Sequence, residues 1–199
     1  MTEPTLHRGI PTDADHRVAE LYWEAFGRKL GPALGPPERG RAFVAAHLRR
    51  DRAVTALLDG RVVAVAGYRH EGRSLVGGTA AQVARVYGPL AALPRLAVLA
   101  LLEHRPGPGL LAVESIAVDG ALRGRGVGTL LLAELDRIAA EHRYDGLTLD
   151  VVDTNPRARA LYERHGYTVR HTARTPWLRR PLGFGAVTTM VRPLPDPGR

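Results

Sequence analysis

The chain has 199 residues, of which 45% are hydrophobic, and it carries a formal net charge of +8. That length suits one well-buried domain, the hydrophobic content excludes a disordered protein, and the absence of cysteine excludes disulfides, thiol nucleophiles and cysteine–zinc sites. The positive charge favours anionic partners such as coenzyme phosphates, nucleic acid or an acidic membrane surface, but the arginines that supply it are dispersed. Residues 1–17 are polar and lack the apolar segment of a signal peptide, so we expect a cytoplasmic protein.

The N-terminal residues predict a short strand followed by an amphipathic helix. The strand is expected at Leu6–Ile10, and Thr12 is the expected N-cap of the helix, with Asp15 as its capping-box partner. The apolar face of this helix comprises Val18, Leu21, Tyr22, Ala25 and Phe26.

A second, weaker helix and a hairpin are predicted next. The helix is expected over Pro37–Arg49. The strands Ala53–Leu58 and Arg61–Tyr68 flank Asp59-Gly60, a dipeptide that is typical of two-residue β-hairpin turns.

Residues 80–102 are unusually apolar and lie within an expected helical insert at about residues 74–106. Arg85, Gly88-Pro89, Pro94 and Arg95 interrupt the apolar run, so we do not expect it to span a membrane. One interpretation is that one or two helices cover the sheet. Two alternatives are a subunit interface, which the length of the run favours, and a wall around an apolar acceptor.

A glycine-rich turn joins a predicted strand, Leu110–Val118, to a predicted helix whose apolar residues are Val127, Leu131, Leu135 and Ile138. The first backbone N–H groups of a helix have no partner within the helix, and together with the positive end of the helix dipole they bind phosphate oxygens. Glycines at 124, 126 and 128 permit close approach of a ligand, and Arg123 and Arg125 add positive charge. The turn therefore predicts a pyrophosphate site.

Two common pyrophosphate motifs do not fit this turn. A P-loop needs a lysine after its last glycine, but the only lysine of the chain is Lys29. A dinucleotide fold needs Gly-x-Gly-x-x-Gly, whose third glycine would fall one residue after Gly128. The spacing that does fit is Arg-x-x-Gly-x-Gly, formed by Arg123, Gly126 and Gly128.

A second motif follows over Leu147–Tyr167. Its first residues alternate as in a strand, and Asn155 is then a good N-cap with Pro156 at the first helical position. Gly166 is placed to end that helix. The segment His171–Ala186 is longer than a tight hairpin needs, which is typical of a loop that determines specificity.

With both motifs in this order, residues 110–170 resemble the GNAT acetyltransferase superfamily, whose members bind the pyrophosphate of acetyl-coenzyme A at the glycine turn. The resemblance implies a single α/β (α+β) domain over residues 1–199, with a loose tail at 193–199. It further implies a mixed, mostly antiparallel twisted sheet, helices on both faces, and fourth and fifth strands that splay apart.

The resemblance also implies where the coenzyme binds. Backbone groups of Ile116 and Val118 would hold the pantetheine arm in the gap between the splayed strands, and a bulge near Ser115–Ala117 would free an N–H for the thioester oxygen. The coenzyme-binding residues expected on this basis are Ile116, Ala117, Val118, Arg123, Gly124, Arg125, Gly126, Val127, Gly128, Thr129, Asn155 and Arg159.

Tyr162 matches the family tyrosine that points at the coenzyme sulfur, and a phenol suits a general acid because it is protonated at neutral pH. Glu114, an acid within an apolar strand, is the first candidate for the base, and Asp150 is the second. A water relay to bulk solvent remains a third possibility. Tyr162 as ordinary core packing is the alternative interpretation of that residue.

The sequence thus predicts an acetyl-CoA-dependent N-acetyltransferase that acts by direct transfer to a primary amine in a ternary complex, without a metal. The alternatives are transfer of a longer acyl group, an acyl-CoA sensor without turnover and, last, a nucleic-acid-binding protein. The expected partners are acetyl-CoA, a small-molecule or peptide amine, and a second copy of the chain bound through residues 80–102.

Overall fold

A computed structural model describes residues 3–102 and 106–195. Its centre is a seven-stranded sheet in which β4 and β5 are parallel and all other neighbouring strands are antiparallel. The strands are β1 (Thr5–Arg8), β2 (Ala53–Leu58), β3 (Arg61–Arg69), β4 (Leu110–Val118), β5 (Gly146–Val152), β6 (Thr168–Arg174) and β7 (Ala186–Pro193). Their order across the sheet is β1-β2-β3-β4-β5-β7-β6, which confirms the predicted mixed, mostly antiparallel sheet.

Helices cover both faces of this sheet. They are α1 (Asp15–Leu34), α2 (Pro37–Ala46), α3 (Ala80–Tyr87), α4 (Pro89–Leu102), α5 (Val127–Glu141), α6 (Pro156–Arg164) and α7 (Arg179–Leu182). On one face α5 and α6 bury an apolar cluster that includes Leu131, Leu135 and Tyr162, and on the other face α1 packs through Val18 and Leu21. Helices therefore bury the central strands on both faces, whereas every residue of the edge strand β6 is exposed.

The hairpin between β2 and β3 has the predicted turn, with positive φ at Asp59 (50°) and Gly60 (77°). The start of α1 differs from the prediction. The helix begins at Asp15 after Ala14, and no side chain caps it. The Asp15 carboxylate instead accepts hydrogen bonds from Arg50, at 2.5 and 3.1 Å, so a tertiary ion pair replaces the expected capping box with Thr12.

The apolar insert forms two helices, α3 and α4, joined at Gly88. Their inward residues, Val83 and Ala92, pack in a cluster with residues of α1 and α2 rather than against the sheet. The interpretation that helices of the insert cover the sheet was therefore wrong, because these helices cover α1 and α2 instead. No helix in the described parts of the chain is long and apolar enough to cross a membrane. Residues 103–105 of the insert lie outside the described residues.

The predicted loose tail begins where β7 ends, at Pro193. The next residue, Leu194, still donates a backbone hydrogen bond of 2.9 Å to Asp145, so the chain is held to that point. Residues 196–199 lie outside the described residues.

Candidate active site

The sheet opens between β4 and β5. The two strands pair from Leu110 and Gly146 to Val113 and Leu149, after which both continue without pairing to each other within the described chain. A cleft bounded by two strands is thus left at their C-terminal ends. The predicted splay of the fourth and fifth strands is confirmed.

The cause of the opening is a β-bulge at Glu114. Ser115 is opposite Gly67 and Val113 is opposite Tyr68, so Glu114 is the extra residue on β4. The bulge therefore precedes the predicted position at Ser115–Ala117. Gly67 lies next to the bulge, and a Cβ atom there would lie 2.6 Å from both Oγ of Ser115 and Cδ2 of Leu75, so position 67 has no room for a side chain.

Backbone groups of β4 line the opening. The N–H of Asp119 donates to the carbonyl of Val63 on β3, at 2.9 Å, and Ala117 is in register with Val65. Because backbone direction alternates along a strand, Ile116 and Val118 direct their N–H and C=O groups to the other side, toward the gap. Ala117, by contrast, is committed to the pairing with β3.

The glycine turn presents backbone N–H groups at the same end of the gap. Gly126 is the N-cap of α5 with φ of 82°, and Gly124 has φ of 78°. A Cβ atom at either glycine would meet nothing within 4 Å, so space is open on this side of the turn. Among the described residues no acceptor binds the N–H groups of the first turn, contributed by Val127, Gly128 and Thr129. This is the geometry that binds phosphate oxygens.

The two arginines of the turn differ in their contacts. Arg123 donates from Nε to the carbonyl of Val118, at 3.0 Å, and from Nη2 to Glu24 of α1, at 2.5 Å. Its guanidinium thus ties the turn to α1 in the structure, whereas Arg125 is exposed. Gly128 has a packing role as well, because a Cβ atom there would lie 3.0 Å from Leu161 of α6.

Helix α6 has the predicted ends. Asn155 caps it by accepting a hydrogen bond of 3.2 Å from the N–H of Ala158. Gly166 has φ of 86°, which lets the N–H of Tyr167 return to the carbonyl of Tyr162, at 3.0 Å. Arg159 is exposed beside this helix and pairs with Glu163, at 2.9 Å.

Tyr162 projects from α6 into the core cluster and is only 9% exposed. Its ring lies 5.9 Å from that of Tyr167, measured between centroids. Burial raises the pKa of the Tyr162 phenol to about 12. The hydroxyl is therefore neutral and able to donate a proton throughout the physiological range.

The two candidate bases lie on opposite sides of the opening. Oε1 of Glu114 accepts hydrogen bonds from Arg69 and from the hydroxyl of Ser74, each at 2.8 Å. Asp150 follows the last paired residue of β5 and accepts a hydrogen bond of 2.6 Å from Thr189 of β7. Glu114 is partly buried, whereas Asp150 is exposed.

One face of α1 completes the site, and the sequence analysis missed its role. Tyr22, Phe26 and Lys29 share this face, and the charge of Glu114 acts on both Tyr22 and Lys29. Burial and that charge raise the pKa of Tyr22 above its usual range. The signal was available in the spacing i, i+4 and i+7, but Tyr22 and Phe26 were assigned to the core alone.

The segment before β7 folds over the same end of the sheet. Its short helix α7 is fixed to Asp153, which accepts hydrogen bonds from Arg179, at 2.9 Å, and from the N–H of Gly185, at 3.1 Å. Trp177 in this segment is exposed. The predicted loop His171–Ala186 is shorter in the structure, because β6 continues to Arg174 and β7 begins at Ala186, and the connection between them contains α7.

Solved structures share this fold. The ribosomal-protein-S18-alanine N-acetyltransferase from Escherichia coli is 16% identical over 99% of each chain, with a TM-score of 0.59. A GCN5-related N-acetyltransferase from Kribbella flavida is 19% identical over 96% of this chain and 98% of its own, with a TM-score of 0.61. A Drosophila melanogaster polyamine N-acetyltransferase is 19% identical over 96% of this chain and 100% of its own, with a TM-score of 0.61.

At these identities the likeness concerns the fold. No curated protein gives a significant match to the chain. The family model for the acetyltransferase (GNAT) family matches residues 16–167, which contain the open gap, the glycine turn and α6. The chain therefore belongs to the acetyltransferase (GNAT) family.

Proposed function

We propose that the protein is an acetyl-CoA-dependent N-acetyltransferase that transfers acetyl directly to a primary amine in a ternary complex. The observation that carries the proposal is the juxtaposition of three features: the gap beyond Val113 and Leu149, the uncapped first turn of α5, and Tyr162. Members of the family use acetyl-CoA, whose extended pantetheine arm and pyrophosphate match the first two features.

In this proposal the arm lies along β4 and hydrogen-bonds with the backbone of Ile116 and Val118. The pyrophosphate lies on the turn from Gly124 to Thr129. Arg123 would exchange its contact with Glu24 for a contact with a phosphate. The exchange costs little, because the Arg123–Glu24 pair is half exposed and such ion pairs contribute little to the stability of the fold. Asn155 holds α6 in place through its cap, and Arg159, which lies in that helix, would leave Glu163 to bind a phosphate.

Transfer requires that protons move at two positions. The protonated amine first loses a proton, and its nitrogen attacks the thioester carbonyl carbon to form the C–N bond. The C–S bond then breaks, and the departing sulfur takes a proton from the Tyr162 hydroxyl. The nitrogen releases its second proton to solvent, and the Tyr162 oxygen takes up a proton from solvent. We assign the removal of the amine proton to Glu114, directly or through water, because the bulge places this residue at the point where the strands separate.

The test of the proposed function is a thiol-release assay with acetyl-CoA across a panel of amines, with each product confirmed by mass. Acetylated product is the expected result. Thermal stabilisation by acetyl-CoA without product from any amine would instead identify a coenzyme-binding sensor.

Glu114→Gln should lower kcat/KM about 100-fold and remove the acidic limb of its pH profile, because the amide cannot accept the proton. Asp150→Asn is the matched comparison on the other strand, and we expect it to keep the limb. The measurement is kcat/KM between pH 5 and pH 10 for both variants. An acidic limb that disappears only in Asp150→Asn would reverse the assignment, and a limb kept in both would favour a water relay.

We also propose that the outer face of α4 joins two copies of the chain. Leu90, Leu93 and Leu101 lie on one stripe of this helix and are 87%, 68% and 57% exposed, whereas Leu96, Val98 and Leu99 turn inward onto the neighbouring helices. Exposed leucines at that spacing on one helix are typical of an interface.

Leu93→Arg should therefore produce monomers at micromolar concentration, because it would bury an unpaired charge in an apolar contact. Light scattering measures the mass, and a thermal melt shows that the variant is folded. Val169→Arg, an exposed apolar residue on β6, is the control and should leave the mass unchanged. A wild-type chain that is already monomeric at that concentration would contradict the proposed interface.

A further inference from the structure

The C-terminal end of α6, the helix that carries Tyr162, is held by a carboxylate of α5. His165 follows the last residue of α6, and its Nε2 atom lies 2.9 Å from Oδ2 of Asp136. The other carboxylate oxygen of Asp136 is paired with Arg192 of β7. The side chains of His165 and Asp136 are 14% and 17% exposed. One carboxylate therefore joins α5, α6 and β7 in a contact from which water is largely excluded.

The contact with His165 is not needed to pair the charge of Asp136. Arg192 already supplies a positive charge for that carboxylate, and replacing a buried polar contact by packed apolar side chains is often neutral for stability. A hydrogen bond supplies what an apolar contact does not, namely a fixed distance and direction. The Asp136–His165 contact thus sets the position of the end of α6 relative to α5.

The contact reaches Tyr162 through the backbone. The carbonyl of Tyr162 accepts hydrogen bonds from the N–H groups of His165 and Tyr167, each at 3.0 Å. Helix α6 has 9 residues, and its other end is held by the Asn155 cap. Because the helix is short and fixed at both ends, a shift of His165 would be passed on to Tyr162.

Helix α5 connects this contact to the proposed coenzyme site, since it begins at the glycine turn and carries Asp136 farther along. We propose that Asp136 is a positioning residue, which acts through His165 to hold the Tyr162 hydroxyl at the sulfur of a coenzyme bound at that turn. This inference rests on the proposed function. Proton transfer depends on the distance and angle between donor and acceptor, so loss of the contact should lower kcat. Binding of acetyl-CoA should be unchanged, because it depends on backbone groups of the turn.

The test is a double-mutant cycle between His165 and Tyr162. His165 is replaced rather than Asp136, because Asp136 then keeps Arg192 as its partner and no charge is left unpaired. His165→Leu should lower kcat about 10-fold and leave KM for acetyl-CoA and the acetyl-CoA shift of Tm unchanged. In the Tyr162→Phe background the same substitution should change kcat by less than about twofold, because the proton that the contact positions is already absent.

Three further variants identify the contact as the cause. His165→Gln retains an N–H donor for Asp136 and should keep most of the wild-type kcat. His165→Asn has a shorter side chain and should lose the contact, so it takes the place of His165→Leu if the leucine prevents folding. His7→Leu, which replaces an exposed histidine on the edge strand β1, is the control and should change neither kcat nor KM. The kinetics use the amine that gives the most product, and thermal melts show that each variant folds.

An equal loss of kcat from His165→Leu in the wild-type and Tyr162→Phe backgrounds would overturn the inference and leave the proposed function intact, because it would show that the contact does not act through Tyr162. Unchanged kcat in both His165→Leu and His165→Asn would also overturn it, and so would normal kcat in Tyr162→Phe alone. Absence of product from the wild type with every amine of the panel would contradict the proposed function itself, and this inference with it.

Discussion

Gly126→Glu should abolish the stabilisation of the protein by acetyl-CoA. A ligand that binds only the native state adds about 2.7 kcal/mol at one hundred times its Kd, which for a chain of this length raises Tm by roughly 5–10 °C. The glutamate would place negative charge where the pyrophosphate binds and would force a side chain onto a residue with φ of 82°. We expect no shift of Tm with acetyl-CoA in the variant, and no detectable transfer.

The control separates the effect of charge at the turn from the effect of backbone strain. Gly72 has a similar conformation, with φ of 71° and nothing within 4 Å of a Cβ atom, but it lies in a turn beyond the far end of β3. Gly72→Glu should lose a similar amount of stability and keep the full acetyl-CoA shift. NAD and ATP should give no shift in the wild type. A full shift in Gly126→Glu would disprove the assignment of the pyrophosphate site.

The features that the sequence predicted well depend on local backbone chemistry. Asn155 and Gly166 delimit α6 as predicted, because a cap and a positive φ depend on neighbouring residues only. The hairpin at Asp59-Gly60 was predictable for the same reason. These elements carry several of the proposed coenzyme-binding residues, so the backbone conformation around those residues was predictable from the sequence.

The features that were missed depend on contacts between distant parts of the chain. Asp15 pairs with Arg50 instead of forming the expected capping box with Thr12, and the bulge at Glu114 depends on the register between β3 and β4. The charges of Glu114 and Asp150 act on Lys29 of α1, although the three residues are far apart in the sequence. The proposed acceptor half of the site depends on such contacts, and the spacing of Tyr22, Phe26 and Lys29 shows a shared helix face without showing what that face contacts.

Tyr162→Phe should lower kcat by about 100-fold, the low end of the effect of a lost general acid, and should leave the acetyl-CoA shift of Tm unchanged. The phenyl ring keeps the packing of the core cluster, so the loss would be confined to the proton that the hydroxyl donates to the departing sulfur. Steady-state kinetics and thermal melts of the same preparations measure the two quantities. A variant with normal kcat would show that Tyr162 serves packing alone.

The pKa of Tyr162 also predicts how kcat changes at alkaline pH. Since burial raises the pKa of Tyr162 to about 12, the phenol stays protonated well beyond pH 10, so kcat should not fall between pH 8 and pH 10.5 through loss of this proton. A falling limb near pH 10, present in the wild type and absent in Tyr162→Phe, would contradict that pKa. Tyr167→Phe is the matched control because it removes a second phenol hydroxyl from the same cluster. In the described structure the Tyr167 hydroxyl is buried without a hydrogen-bond partner, so its removal should change neither kcat nor the profile and should not destabilise the fold.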